Sequence, residues 1–217
     1  TWEAAYASAQ VALSATQEVL SGEHAFALCR PPGHHAAYDM YGGYCFLNNA
    51  AVSAQYMRDN GKKRVAIVDV DFHHGNGTQE IFYDRDDVMY VSLHGDPSRA
   101  YPYTIGYADE TGTGRGLGST LNVPLAARTD DDKYVDALAD AVAKIQAFGA
   151  QMVVVSLGLD TFITDPICDL SVTTDGFRRS GEVVAALGLP TVVLQEGGYD
   201  VDKLGINVQS WLVGLGV

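Results

Sequence analysis

The feature that most constrains the fold is the alternation of short apolar runs, rich in β-branched residues, with segments of helical periodicity. Five apolar runs are typical of buried parallel strands: Ala25–Cys29, Val65–Asp71, Val88–Leu93, Met152–Leu159 and Thr191–Gln195. The spacing of apolar residues between them predicts four helices: Trp2–Leu20, Asn48–Asp59, Asp130–Phe148 and Asp175–Leu187. Strands that alternate with helices favour an α/β fold with a mostly parallel sheet.

The length and composition of the chain predict one domain. Its 217 residues suffice for one sizeable core, and 47% apolar against 19% charged residues is typical of a folded domain. No repeat or linker interrupts the pattern, so we expect a single domain over residues 1–217. The longest stretch without strong periodicity is His94–Thr120, and a loop of that length in a compact domain is usually functional.

The charge balance restricts the classes of partner. The formal net charge is −13, which argues against nucleic acid and is compatible with a cationic substrate. No apolar run is long enough to span a bilayer, and no segment resembles a secretion signal, so we expect a cytoplasmic protein without membrane contact. The three cysteines, Cys29, Cys45 and Cys168, are widely spaced, which favours neither a disulfide framework nor a cysteine zinc site.

Polar side chains gather where the predicted strands end. In an open α/β sheet, ligands bind beyond the carboxyl ends of the strands. Because side chains alternate along a strand, Asp69, Asp71 and His73 share one face at the tip of the second run. The other strand ends add further polar residues: Asp160, Tyr199 in Glu196–Tyr199, and the pair His34 and His35. The sequence therefore predicts that four strand ends converge on one polar site.

This set of residues suits metal-assisted hydrolysis. One imidazole and two carboxylates, from His73, Asp71 and Asp160, fit a divalent ion, zinc first, with a position open for water. Attack of such a water on an amide also needs a base, an oxyanion donor and groups that orient the histidines. His34 and His35 are the candidates for the base, and Tyr199 is the candidate for the oxyanion donor. Asp69 and Asn76 are the candidates for the orienting groups.

Each of these residues also has an ordinary explanation when it is taken alone. A lone buried histidine is more often a satisfied core residue than a ligand, and Asp69 alone fits a cap or an ion pair. Gly197–Tyr199 alone fits an ordinary turn. Their joint placement at four strand ends favours the functional interpretation.

Five segments, in chain order, resemble the motifs of zinc-dependent deacetylases of the histone deacetylase and arginase-like superfamily. They are Arg30–His35, Gly43–Asn49, Asp69–Thr78, Ser156–Asp160 and Glu196–Tyr199. The resemblance extends over essentially the whole chain and implies a three-layer fold with helices on both sides of the sheet. Two further segments, Tyr38–Tyr44 and His94–Pro97, are more similar to acetylpolyamine amidohydrolases than to eukaryotic histone deacetylases.

The resemblance also implies a role for each site residue. Asp71, His73 and Asp160 would bind Zn²⁺, with Fe²⁺ as the alternative ion in the cell. His35 would act as general base and then acid, and His34 would assist electrostatically. Asp69 would orient His34, Asn76 would orient His35, and Tyr199 would donate a hydrogen bond to the oxyanion.

Substrate and structural-ion contacts follow from the same resemblance. The Gly43 carbonyl would accept the substrate N–H, while Tyr44 and Tyr101 would sandwich a linear acylated amine. Structural K⁺ would bind near a set of mainly backbone oxygens: those of Asp69, Asp71, His73, Ser92 and Leu93.

The resemblance implies removal of acetyl groups from small, cationic acetylated polyamines. It is also compatible with a homodimer. The first alternative is a protein-lysine or broad-specificity acyl-amine deacetylase, since the aromatic pair fits acetyl-lysine equally well. Family members carry an N-terminal portion before the region that matches Thr1, so we expect a chain without the first sheet strands. An inactive metal-binding remnant is therefore the second alternative. An arginase-type two-metal site would need more carboxylate ligands.

Overall fold

The computed structural model describes residues 1–217 and contains one sheet of six parallel strands. The strands are β1 (Ala25–Ala27), β2 (Val65–Asp69), β3 (Val88–Gly95), β4 (Thr120–Leu125), β5 (Met152–Leu157) and β6 (Thr191–Gln195). Their spatial order is β1-β6-β5-β2-β3-β4, and every neighbouring pair is parallel. The predicted α/β class with a mostly parallel sheet is confirmed.

Six helices cover the two faces of the sheet and make the predicted three layers. They are α1 (Trp2–Leu20), α2 (Asn49–Asp59), α3 (Asn76–Phe82), α4 (Asp131–Phe148), α5 (Thr174–Ala185) and α6 (Leu204–Leu215). The first three helices pack on one face and the last three on the other. None of them combines the length and apolar character that a membrane crossing would require.

The core is divided in two by the sheet because strand side chains alternate between its faces. On β2, Ala66 and Val68 join the larger cluster beneath α4, α5 and α6, while Val65 and Ile67 join the cluster beneath α1, α2 and α3. Val70 and Phe72, beyond the end of β2, continue on the same side as Val68. The alternation of side chains, which predicts Asp71 and His73 on the face opposite Val70 and Phe72, therefore continues beyond the end of the strand.

The helix predicted over Asp130–Phe148 forms over Asp131–Phe148 for the expected reasons. Asp130 caps it by accepting a hydrogen bond from the Lys133 N–H at 3.1 Å, and Gly149 ends it with a φ of 76°. The face that packs on the sheet contains the predicted residues Tyr134, Leu138, Ala141, Val142 and Ile145. The other three predicted helices also form, with ends that differ by at most two residues.

Three predicted strands end two residues earlier than their apolar runs. β1 stops at Ala27, β2 at Asp69 and β5 at Leu157. Beyond β2 the backbone N–H groups change partners: Phe72 donates to the Asp160 carboxylate at 2.9 Å and His73 to that of Asp71 at 2.8 Å. Side-chain carboxylates therefore replace the sheet ladder at this edge.

Three elements were not predicted. Strand β4 contains Asn122 and Pro124, which break the apolar pattern, and Pro124 is tolerated because β4 is an edge strand paired only with β3. Helix α3 is short, and helix α6 carries Gly205 and Gly214, which weaken the helical signal.

The strand order places a switch point between β2 and β5. From β2 the chain adds β3 and β4 on one side, and it then returns to add β5 and β6 on the other. Crossovers on either side of a switch point leave a crevice at the carboxyl ends of the two central strands. Asp71 and Asp160 follow those two strands, so the fold brings them to the same crevice.

Candidate active site

Three potential metal ligands meet at the switch point. The Nδ1 atom of His73 lies 3.2 Å from Oδ1 of Asp71 and 3.1 Å from Oδ2 of Asp160. Both carboxylates are fully buried, whereas the His73 side chain is 13% exposed and reaches the cavity. The second oxygen of each carboxylate accepts a backbone N–H, that of Gly197 for Asp71 and that of Phe72 for Asp160. These bonds fix the direction in which the remaining oxygens point.

The electrostatics of this triad fit a cation. Burial and the charge of Asp71 raise the pKa of Asp160 to about 7, because two adjacent buried carboxylates repel each other. Burial lowers the pKa of His73, but its hydrogen bonds to Asp160 and Asp71 outweigh that effect and raise it to about 10. A proton on His73 thus neutralises carboxylate charge at the point where a metal ion would contact all three residues.

The space beside the carboxylates is kept open by a glycine. A Cβ atom on Gly197 would lie 2.7 Å from Oδ2 of Asp71 and 2.7 Å from Oδ2 of Asp160, closer than any side chain tolerates. The backbone at Gly197 does not have a positive φ, so its conformation does not demand glycine. The small residue therefore lets the main chain approach both carboxylates and donate its N–H to Oδ2 of Asp71, with no side chain filling the space beside the candidate ligands.

A second possible donor lies on the same side of the crevice. Ligand atoms of His73, Asp160 and Cys168 lie within 4.8 Å of one another, so Cys168 competes geometrically with Asp71 as the third ligand. Burial and the charge of Asp160 raise the pKa of the Cys168 thiol, which keeps it protonated. The charge of His34 and the bonds from His73 overcome burial and lower the pKa of Asp71, which keeps it ionised. A bound metal ion displaces the proton of an imidazole or a thiol, so protonation alone does not decide between the two. Asp71 is the donor that we propose, because it is already ionised and its second oxygen is fixed by the Gly197 N–H.

The histidine pair lies on the turn that follows β1, and each ring has a fixed partner. Nδ1 of His34 is 3.1 Å from Oδ2 of Asp69, and Nδ1 of His35 is 2.7 Å from Oδ1 of Asn76. The two rings contact each other, with centroids 4.0 Å apart. Since the Asn76 oxygen can only accept, the proton of neutral His35 lies on Nδ1, which leaves Nε2 free to accept a proton.

The two histidines differ in protonation. Burial alone would lower the pKa of His34, but the charges of Asp69, Asp71 and Glu196 raise it well above the usual histidine range. Burial and the neighbouring positive charge of His34 lower the pKa of His35 to about 3. His34 therefore carries the charge, and His35 stays neutral and able to act as a base.

Tyr199 approaches the same space from the turn after β6. Its backbone N–H donates to Oδ2 of Asp165 at 2.8 Å, and its ring lies 6.4 Å from that of Tyr44. Burial and the charges of Asp71 and Asp160 raise the pKa of its hydroxyl, so it stays a hydrogen-bond donor. The tyrosine is held by its main chain, which leaves the hydroxyl available to a ligand.

These groups surround one cavity of about 330 Å³. Its lining comprises His35, Gly43, Tyr44, His73, Tyr101, Ile167 and Tyr199. A Cβ atom on Gly43 would overlap the His35 ring, so glycine is required for this wall to approach the base. The Tyr101 ring packs edge-on against His35, with centroids 4.9 Å apart.

The structure brings six predicted site residues to the cavity wall, and Asp71, Asp160 and Asn76 hydrogen-bond to residues of that wall. His34 and Asp69 lie one contact further back, behind the His35 ring. Sequence analysis missed the contacts of Asp165, Glu196 and Ile167. Asp165 and Glu196 act on backbone N–H groups, and only Ile167 lies in the cavity wall. An acidic residue that binds main chain has no sequence pattern of its own, although the position of Glu196 after β6 was visible.

Comparisons with known proteins agree with this fold and show the family of the chain. The chain is 52% identical to the acetylpolyamine amidohydrolase of Mycoplana ramosa over 99% of its own length and 63% of that protein. It is 40% identical to histone deacetylase 8 of Arabidopsis thaliana, across 99% of the chain and 60% of the relative. The crystal structure of the acetylpolyamine aminohydrolase from Burkholderia pseudomallei superposes with a TM-score of 0.97 at 49% identity, covering 100% of this chain and 64% of that one.

The chain thus spans about 63% of the length of the first of these relatives. The model of the histone deacetylase domain matches residues 1–215. The chain belongs to the histone deacetylase domain family.

Proposed function

We propose that this chain removes acetyl groups from acetylated polyamines by metal-assisted amide hydrolysis. The observation that carries the proposal is the convergence of a His73 and two-carboxylate site, a neutral His35 and a protonated Tyr199 on one cavity. Four relatives named acetylpolyamine amidohydrolases, 49 to 53% identical to this chain, support the choice of substrate class.

The metal follows from the donor set. The histone deacetylase family is metal-dependent. We propose zinc, held by Asp71, His73 and Asp160, because one imidazole and two carboxylates with an open position suit that ion. Fe²⁺ would be the alternative in the cell. K⁺ near mainly backbone oxygens stays a prediction, with the candidate residues Asp69, Asp71, His73, Ser92 and Leu93. When bound, the catalytic ion would polarise the amide carbonyl and make water nucleophilic at neutral pH.

The protein's own groups would handle protons and charge. His35 would take a proton from the attacking water on its free Nε2 and pass it to the leaving amine, since Asn76 holds the other nitrogen protonated. His34 would keep its positive charge beside the site, held by Asp69. Tyr199 would donate its hydroxyl proton in a hydrogen bond to the oxygen on which negative charge develops.

The walls of the cavity would select a linear, cationic amine. Tyr44 and Tyr101 line it, so a narrow methylene chain would fit between aromatic faces, and the carbonyl of Gly43 would accept the amide N–H. In the structure that carbonyl lies 3.4 Å from Sγ of Cys45, a weak donor that a substrate N–H would displace. The net charge of −13 favours the approach of a substrate that retains an ammonium group.

The substrate class is tested by comparing acetylputrescine with an acetyl-lysine peptide. We expect kcat/KM to favour acetylputrescine by at least about tenfold, which corresponds to about 1.4 kcal/mol of differential transition-state binding. The Tyr199→Phe variant serves as the control, because it should lose turnover of both substrates equally. A higher kcat/KM for the peptide would contradict the polyamine assignment and favour a protein-lysine deacetylase.

The open space at Gly197 gives a second prediction. In Gly197→Ala the new methyl group would press on both carboxylates, so we expect zinc affinity to fall by about 10- to 100-fold, as for other disturbances next to a metal ligand. Gly205→Ala is the matched control, since a Cβ there meets nothing within 4 Å. Titration of metal-free protein with zinc measures both. Wild-type affinity in Gly197→Ala would show that the ion does not lie between these carboxylates.

A further inference from the structure

Glu196 is a buried carboxylate for which the proposed reaction has no use. It follows β6, opens the turn that carries Tyr199, and is 6% exposed. No lysine or arginine pairs with it. The nearest base is the charged His34, whose ring nitrogen lies within 4.8 Å of the Glu196 carboxylate. A buried carboxylate is costly, so this charge and the hydrogen bonds of Glu196 must compensate for the lost hydration.

Those hydrogen bonds lead to the histidine turn. Oε2 of Glu196 accepts the N–H of Gly33 at 2.7 Å and that of His34 at 3.2 Å, across more than 160 residues of sequence. Oε1 accepts the hydroxyl of Ser156 on β5 at 3.2 Å. The Glu196 carboxylate therefore connects three elements: the turn that carries His34 and His35, the turn that carries Tyr199, and strand β5.

The histidine turn has other anchors, at the Pro31 carbonyl and at both histidine rings, but none of them leads to the tyrosine turn. Strand β1, which precedes it, is three residues long and pairs only with β6. At the next peptide unit, the His34 carbonyl accepts the N–H of Thr78 on α3 at 3.1 Å. Glu196 and Thr78 thus hold the His34 main chain from two directions, and only Glu196 connects it to the tyrosine turn.

The rest of the tyrosine turn is fixed independently of Glu196. The Gly197 N–H donates to Asp71 at 2.8 Å, and the Tyr199 N–H donates to Asp165 at 2.8 Å. Removing the Glu196 carboxylate would therefore free the Gly33 and His34 N–H groups of the histidine turn, while it leaves the metal ligands and the tyrosine main chain in place.

We propose that Glu196 is a positioning residue that holds the His34–His35 turn in register with Tyr199. This inference rests on the proposed function for its catalytic consequence, but not for the contact itself. Loss of the contact would displace His35 relative to the reacting atoms, and a displacement of about 1 Å typically costs about 100-fold in rate.

The test uses the whole chain as Glu196→Ala, Glu196→Gln and Asn207→Ala. Burial raises the pKa of Glu196 to about 7, so the neutral form that glutamine imitates is accessible near neutral pH. The glutamine oxygen can still accept both backbone N–H groups. Asn207 is equally buried but bonds Thr174 on the far helices, so its variant controls for a general loss of stability.

Amide hydrogen exchange at Gly33 and His34 is the first measurement, followed by kcat, KM and zinc content with acetylputrescine. For Glu196→Ala we expect exchange at these two amides to rise by about tenfold or more, with no change in β2 and β5. We expect kcat to fall by about 100-fold with little change in KM or zinc content. Glu196→Gln should restore most of the amide protection and most of kcat. Asn207→Ala should resemble wild type in amide exchange and in kcat.

Unchanged exchange in Glu196→Ala would overturn the inference, as would a loss of kcat in Asn207→Ala equal to that in Glu196→Ala. Failure of glutamine to restore either quantity would also overturn it. A wild-type protein without turnover would instead contradict the proposed function, and the exchange data would still decide whether Glu196 holds the turn. If Glu196→Ala is insoluble, Glu196→Asp, whose shorter side chain withdraws the carboxylate, replaces it in the comparison.

Discussion

Replacing His73 with alanine should remove both metal binding and turnover. His73 Nδ1 contacts both the Asp71 and the Asp160 carboxylates, and without it the candidate site loses its imidazole donor. Loss of a direct ligand should exceed the roughly 10- to 100-fold loss of affinity that follows removal of an outer hydrogen-bond partner. Zinc content after dialysis and hydrolysis of acetylputrescine measure the two effects on one sample.

The exposed His24 offers the matched control for that variant. It lies in the turn between α1 and β1, away from the carboxyl ends of the strands, so His24→Ala should keep both zinc and activity. Full zinc occupancy in His73→Ala would show that the metal lies elsewhere, and the ligand set Asp71, His73 and Asp160 would then be wrong.

Replacing Tyr199 with phenylalanine should leave zinc bound and reduce kcat by about 10²- to 10³-fold, the usual cost of one oxyanion donor. The ring would remain, because the tyrosine is held by its backbone N–H and by its place beside Tyr44. Only the hydroxyl, which burial and nearby carboxylates keep protonated, would be lost.

Measurement of kcat and KM separately distinguishes this role from a binding role. An oxyanion donor acts mainly in the transition state, so KM should change much less than kcat. Tyr6→Phe, an exposed change on α1, controls for the loss of a hydroxyl alone. If Tyr199→Phe hydrolyses acetylputrescine at the wild-type rate, the tyrosine does not stabilise the oxyanion.

Much of the site could be predicted because its residues follow buried strands. The apolar runs located β2, β5 and β6, and a parallel sheet requires that their carboxyl ends meet at one edge. The alternation along β2 then separated Asp69, Asp71 and His73 from the core side chains. Periodicity and topology together therefore carried more information than any single motif.

The edge of the sheet could not be predicted in the same way. Strand β4 pairs only with β3 and tolerates Pro124, so its sequence lacks the continuous apolar run of a central strand. The strand order was also not predicted, although the switch point between β2 and β5 is what brings Asp71 and Asp160 together.

The contacts of Glu196 and Asp165 lay beyond sequence reasoning for a different reason. Each carboxylate accepts backbone N–H groups from a distant turn, and backbone donors are the same for almost every residue type. The residue type at the donating position therefore gives no sign that its N–H binds a distant carboxylate. Such contacts become visible only when the turns are placed next to each other.

We propose that one metal ion at the switch point between β2 and β5 supports hydrolysis of an acetylated amine. The most direct test strips the purified protein with a chelator, restores zinc in steps, and follows hydrolysis of acetylputrescine at each step. We predict that turnover rises in proportion to bound zinc and reaches its maximum at about one ion per chain, as for a catalytic zinc site with three protein ligands. A chain that binds one zinc ion and hydrolyses no acetylated amine would contradict the claim.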